Sequence, residues 1–171
     1  SRAATFGVIP EHLMQREGGK RDLDQFIITD DMHSRKKLMF INSDAVVLLP
    51  GGAGSMDEFF EVLTWRQIGL HEKPIFLLDT NGYWQPLIAL MDHLIAQGFA
   101  DASLKDFVTL CADVPSLEEA LRVAEAVPST GGLGGLHREH LDVRRERVLD
   151  LGGDLGRVRR DGLLGGLVAL G

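Results

Sequence analysis

The stretch from Asp44 to Gly69, DAVVLLPGGAGSMDEFFEVLTWRQIG, leaves this chain little freedom in how it folds. Ala45-Val46-Val47-Leu48-Leu49 is a short, continuous, β-branched apolar run, the pattern of a strand buried on both faces. Pro50 ends it, since proline has no N–H to give a sheet ladder. Gly51, Gly52 and Gly54 follow, where the backbone can take positive φ and let a ligand approach closely. Ser55 then opens a helix, with Phe59, Val62, Leu63 and Ile68 recurring at helical spacing. A strand, a glycine turn and a helix start make an anion site, because free N–H groups and the positive end of the helix dipole converge. The expectation is a phosphate cradle. GGAGS nevertheless lacks both the Lys-Ser/Thr ending of a P-loop and the GxGxxG spacing of a dinucleotide turn. Ser55-x-x-Glu58 also has the spacing of a capping box, so Glu58 serves either its own helix or a ligand.

Around this centre, strands and helices alternate. Phe6 to Ile9 reads as a strand closed by Pro10, and polar Glu11 to Asp24 as a surface loop. Phe26 to Ile28 is a second strand, and Asp30 or Asp31 caps a helix from Met32 to Ile41. Ile75 to Leu78 is a buried strand, Asn81-Gly82 a turn, and Trp84 to Gln97 a helix stopped by Gly98. Phe107 to Cys111 is a final strand, and Ser116-x-x-Glu119 opens a helix to Ala126. Alternation of this kind implies a parallel sheet covered on both faces, with ligands beyond the carboxyl ends of the strands. From Pro128 the composition shifts to Gly, Leu and Arg, with GGLGGL, LGGDLG and LLGGL echoing one another. The expected organisation is one domain over residues 1–127 and a weakly ordered or non-native tail over 128–171.

Composition excludes several classes. A net charge of −7 lacks the basic footprint of nucleic-acid binding. No apolar run reaches the length of a membrane span. The one cysteine, Cys111, cannot form an internal disulfide, fits a reducing cytoplasm, and lies in an apolar segment as a buried side chain rather than a nucleophile. His137-x-x-His140 in the tail lacks the Cys or acidic neighbours of a metal site. The first residue is Ser rather than Met and no signal peptide is visible, so an incomplete N-terminus is expected.

Arg35 and Lys36 share a helical face with Met32 and Met39. As a pattern this is a solvated basic patch. Beside a glycine-rich anion loop, Arg is also what a phosphate monoester needs, because guanidinium matches phosphate oxygens bidentately. His33 and His71 are of the residue type used for acid–base work near neutrality, but neither has an evident partner in the sequence. Lys73, in HEKP, reads as a turn cap rather than a Schiff-base lysine.

MHSRKKLM, then PGGAGSMDE, then EVLTWRQIGLHEKPIFLLDTNGYW together resemble the Lonely Guy (LOG) family, the cytokinin riboside 5′-monophosphate phosphoribohydrolases, many once mislabelled lysine decarboxylases. The Arg-Lys pair, the PGGxG(T/S)xxE loop and the GLHEKP turn occur in the family's order, and the resemblance covers Phe6 to Val127. It implies a Rossmann-like three-layer fold, a cytoplasmic homodimer with its site near the interface, and hydrolysis of a nucleoside 5′-monophosphate to base and ribose 5-phosphate, without metal or organic cofactor. By position, Arg35 and Glu58 match the catalytic pair. Glu17, Lys36, the loop Gly51, Gly52, Ala53, Gly54, Ser55, Met56, Asp57 and Glu58, and Thr64 match substrate-binding positions; Ser55 stands where the family usually has Thr.

Family members begin with a strand-helix-strand unit carrying a GGGxxGLMG-like loop, which is missing before Phe6. The expectation is therefore an active full-length parent and a weak or inactive fragment. A second reading of the same residues is a non-catalytic nucleotide or molybdenum-cofactor binding protein. Lysine decarboxylation fits poorly, since the chain shows no context for pyridoxal phosphate. Nothing in the spacing separates a plain purine from a prenylated adenine.

Overall fold

The computed structural model describes residues 6–13, 25–126 and 167–170. Strands β1 (Phe6–Pro10) and β2 (Gln25–Thr29) pair in parallel, with Val8 opposite Ile27. Helix α1 (Met32–Ile41) follows, then β3 (Ala45–Leu48), α2 (Ala53–Gln67) and β4 (Ile75–Leu78). A 3₁₀ turn at Thr80–Gly82 leads into α3 (Gln85–Ala96), and a second at Ala102–Phe107 into β5 (Val108–Cys111) and α4 (Val114–Ala126). A last strand, β6 (Leu167–Leu170), joins the larger sheet, whose order is β5-β4-β3-β6 with every pairing parallel. This is the expected α/β architecture, parallel strands between helical layers.

Side-chain alternation along the strands builds two cores, one on each sheet face. Val46, Leu48, Ile75 and Leu77 face Phe59, Val62 and Leu63 of α2, Leu87 and Met91 of α3, and Met39 of α1. Val8 of β1 joins this cluster, which ties the two-stranded sheet to the larger one. On the opposite face Ala45, Val47, Phe76, Leu78 and Cys111 pack on Leu117 and Leu121 of α4. Burial, with Asp113 adding to it, pushes the Cys111 thiol up, as suits a packed side chain rather than a nucleophile.

Several boundaries differ from the sequence reading. Residues 11–13, taken as the start of a surface loop, are helical. Helix α1 has the expected span, and of its two cap candidates Asp31 is the cap: its Oδ1 accepts the Ser34 N–H at 2.7 Å. Helix α4 starts at Val114, with Asp113 accepting the Ser116 N–H at 2.8 Å, so Ser116 lies in the first turn and not at the cap. Asn81 (φ 57) and Gly82 (φ 72) take the left-handed turn that the Asn-Gly pair signals, and Gly98 (φ 76) closes α3 as expected. Leu167–Leu170 pairs with β3, Val168 opposite Val46, where no strand was expected. Glu17, the His137–His140 pair and the Val127 boundary lie outside the described residues.

Candidate active site

The centre of the site is the junction between β3 and α2. Pro50 and Gly51 leave the end of the strand, and Gly52 is the N-cap of α2 without any side chain to satisfy the helix start. An α-helix leaves its first N–H groups without intrahelical acceptors, so this end presents donors and a positive dipole to whatever lies before it. A Cβ built at Gly52 or Gly54 would meet nothing within 4 Å, so open space adjoins the loop on both sides. None of the three loop glycines has positive φ, contrary to expectation; Gly52 sits at φ −102. Their value here is the absence of a side chain, not a left-handed backbone.

The capping box is not formed. Ser55 is buried inside the helix rather than at its cap. Glu58 instead accepts from Arg35: Nη1 to Oε1 is 2.5 Å, with the two side chains only 14% and 13% exposed. The Arg35 Nε–H meanwhile donates to the Val8 carbonyl at 3.1 Å. One guanidinium thus joins the middle of β1, helix α1 and the first turns of α2. Arg is suited to this because its planar fork offers donors in two fixed directions.

Lys36, the next residue, reaches the outer face of α2. Its Nζ lies 2.7 Å from Asp57 and 3.0 Å from Glu61. Partial burial works against its charge, but the two carboxylates outweigh that and hold the ammonium above its ordinary value. Between α1 and α2 runs a groove lined by Lys36, Met39, Phe40, Glu58, Glu61 and Trp65. Ala53, Gly54, Met56 and Asp57 are exposed beside it. Thr64 is not brought to Glu58. Six residues further along the helix it faces the Asp57–Glu61 side, and its hydroxyl donates to the Phe60 carbonyl of its own helix at 2.7 Å.

Some neighbours were not legible in advance. Trp65 and Phe40 meet edge to face with centroids 5.0 Å apart. Trp65 could have been placed on the Glu58 face, since seven residues bring a helix back to nearly the same side. The pairing of Lys36 with Asp57 and Glu61 crosses two helices, and no local pattern announces it. Tyr83, from the loop after β4, donates its hydroxyl to the Gly51 carbonyl at 2.7 Å.

The GLHEKP turn is structural. His71 is buried; its Nδ1 accepts the Lys73 N–H at 3.1 Å, which leaves Nε2 to donate to the Val62 carbonyl at 2.9 Å. Desolvation, with Arg66 and Lys73 nearby, pushes its pKa down despite the Val62 bond, so the ring is a neutral brace. Lys73 hydrogen-bonds the Phe40 carbonyl and sits 4.0 Å over the Phe40 ring. Among the described residues no group of three or more His, Cys, Asp or Glu is set to hold a metal, and no helix is long and apolar enough to cross a membrane.

A carboxylate held against a guanidinium, beside a helix N-terminus that favours anions, suits a phosphorylated ligand whose reacting carbon gains positive charge. Residues 1–121 match the family described as "Possible lysine decarboxylase". A probable cytokinin riboside 5′-monophosphate phosphoribohydrolase of Oryza sativa subsp. japonica is 42% identical over 119 residues, 70% of this chain and 52% of the relative. The cytokinin riboside 5′-monophosphate phosphoribohydrolase of Rhodococcoides fascians is 40% identical over 123 residues, 71% of this chain and 62% of the relative. An Arabidopsis thaliana protein of the same name is 37% identical over 119 residues, 70% and 54% of the two chains. The chain spans about half the length of the curated relatives it matches. It belongs to the LOG family, which carries the older lysine decarboxylase description.

Proposed function

We propose that this chain carries the site of a nucleoside 5′-monophosphate phosphoribohydrolase. The observation behind the proposal is the Arg35–Glu58 pair, 2.5 Å apart at the first turns of α2 and next to an open glycine loop. The 5′-phosphate would sit before the N-terminus of α2, where the N–H groups of Gly52 to Ser55 and the helix dipole favour negative charge. Arg35 would orient the phosphate and sugar, and Lys36 would add positive charge from α1. Breaking the N-glycosidic bond leaves oxocarbenium character at the ribose C1′. Glu58 would stabilise that charge and direct water to the carbon. Water oxygen bonds to C1′, the base leaves with the bonding electrons and takes up a proton, and ribose 5-phosphate is released.

The substrate contacts assigned to Glu17, to the loop from Gly51 to Asp57 and to Thr64 belong to this proposal, as does a cytoplasmic homodimer with the site near its interface. Met56, exposed beside the loop, and the aromatic groove of Phe40 and Trp65 would lie at such an interface. For lysine decarboxylation the chain offers a poor candidate in Lys73, whose ammonium is already engaged with Phe40.

Ribose 5-phosphate release from AMP and from isopentenyladenosine monophosphate, measured beside Glu58→Gln, tests the proposal. Release that falls by about 10²–10⁴-fold in the variant is expected, the range of a positioned acid–base group. Binding of AMP without release from either nucleotide would instead favour the non-catalytic nucleotide or molybdenum-cofactor binder. Absence of binding as well as release would sink both.

A further inference from the structure

Tyr83 sits beyond the carboxyl end of β4, the strand beside β3, and its hydroxyl donates to the Gly51 carbonyl at 2.7 Å. The Gly51 oxygen shares a peptide plane with the Gly52 N–H, and across a trans peptide the two point in opposite directions. Whatever fixes that carbonyl therefore also fixes where the first donor of the loop is aimed. Little else does so locally. Neither neighbour of this peptide carries a Cβ, and Gly52 and Gly54 have open space around them. A Gly-Gly peptide rotates more freely than any other pair. The next carbonyl, of Gly52, is already committed to the helix by the Met56 N–H at 3.2 Å.

Tyr83 is itself held firmly. Its neighbour Trp84 is 3% exposed and donates its backbone N–H to Asp79 Oδ1 at 2.6 Å, while Gln85 Nε2 donates to Asp79 Oδ2 at 2.5 Å. The Tyr83 and Trp84 rings meet edge to face, centroids 4.9 Å apart. Buried Asp79 thus fixes the turn that carries Tyr83. Half of the tyrosine stays exposed at the mouth of the loop.

We propose that Tyr83 is a positioning residue for the glycine loop: by holding the Gly51 carbonyl it aims the Gly52 N–H at the phosphate of a bound nucleoside monophosphate. The proposal rests on the reading of the loop as a nucleotide site. It assigns Tyr83 to recognition of the phosphate and not to the bond-breaking step.

Tyr83→Phe removes the hydroxyl and keeps the ring against Trp84. Calorimetry of both proteins with AMP, ribose 5-phosphate and adenine, alongside steady-state hydrolysis and thermal melting, separates the possibilities. Affinity for AMP and ribose 5-phosphate is expected to fall roughly three- to tenfold, the size of one net hydrogen bond, with adenine unaffected. KM should rise with kcat nearly constant, and the melting temperature should fall by at most a few degrees, since the lost hydrogen bond is an exposed one. Equal losses for all three ligands, a loss confined to kcat, or no change in phosphate affinity would overturn the proposal. A wild-type protein that binds AMP but releases no ribose 5-phosphate would refute the hydrolase alone, and the binding data would still judge Tyr83. A wild-type protein that binds neither phosphate ligand would refute both.

Discussion

Arg35 and Glu58 stand 2.5 Å apart although they lie on different helices, and the same guanidinium also holds the Val8 carbonyl at 3.1 Å. Their union makes the carboxylate part of the joint between β1, α1 and α2. Arg35→Lys is expected to break this joint even though it keeps the charge, because one ammonium cannot replace two donors in fixed directions. Hydrolysis should fall by about 10²-fold or more. Residues in contact that act as a unit lose activity non-additively. Arg35→Lys with Glu58→Gln should therefore cost little more than the worse single change. Rates that multiplied in the double variant would mean the two side chains act separately.

Much of this was visible in the sequence, and the reason is physical. β3 and β4 are buried on both faces, so their continuous apolar runs stand out, and glycine marks the turns that need left-handed backbone at Gly82 and Gly98. The glycine loop was legible as an anion site from its strand, turn and helix start, whereas Arg35 and Glu58 could be chosen as a pair only by resemblance to a family. Locally, Ser55-x-x-Glu58 fits a capping box equally well, and only the position of α1 shows that Glu58 faces Arg35 instead. Partners joined across helices, such as Lys36 with Asp57 and Glu61 or Tyr83 with Gly51, leave no periodic trace. β6 was missed for a related reason. Four apolar residues in a Gly-rich tail become a strand only because β3 offers them an edge to pair with.

His71 predicts a pH dependence of stability. Burial lowers its folded-state pKa, so the unfolded chain takes up the proton more readily than the folded one. The contribution is complete above the unfolded value of about 6.5 and is lost as pH falls below it. Asp31, Asp101 and Asp113, whose carboxylates are lowered by hydrogen bonds from nearby N–H groups, act in the same direction but in the more acidic carboxylate range. Urea midpoints at pH 7.5 and 5.5 should drop for the wild type and drop less for His71→Gln. The other histidines are common to both proteins, so an identical drop would show that His71 is not the group responsible.

The tail is expected to matter to the sheet. Leu167–Leu170 pairs residue by residue with Ala45–Leu48, the strand that leads into the glycine loop. We propose residues 1–127 as the nucleotide-binding domain and residues 128–171 as a tail whose end completes that domain's sheet. Ending the chain at Val127 would uncover one edge of β3. The melting temperature should fall by several degrees, as for a loss of about 1 kcal/mol or more, and amides of Val46 to Leu48 should exchange faster. Unchanged melting and exchange would show that β3 does not depend on β6.

Gly54 separates stability from binding with opposite signs. It lies in the first turn of α2, where a Cβ would meet nothing within 4 Å, and its backbone is helical rather than left-handed. Alanine is there the better helix former by roughly 0.5–1 kcal/mol, chiefly because the unfolded chain loses freedom. Gly54→Ala should therefore raise the melting temperature by a few degrees. The new methyl would enter the space proposed above for the phosphate, so AMP affinity should fall about tenfold or more while adenine affinity holds. Higher stability with undiminished AMP binding would place the phosphate elsewhere on the protein. Lower stability would mean that the loop itself, without any ligand, requires glycine at this position.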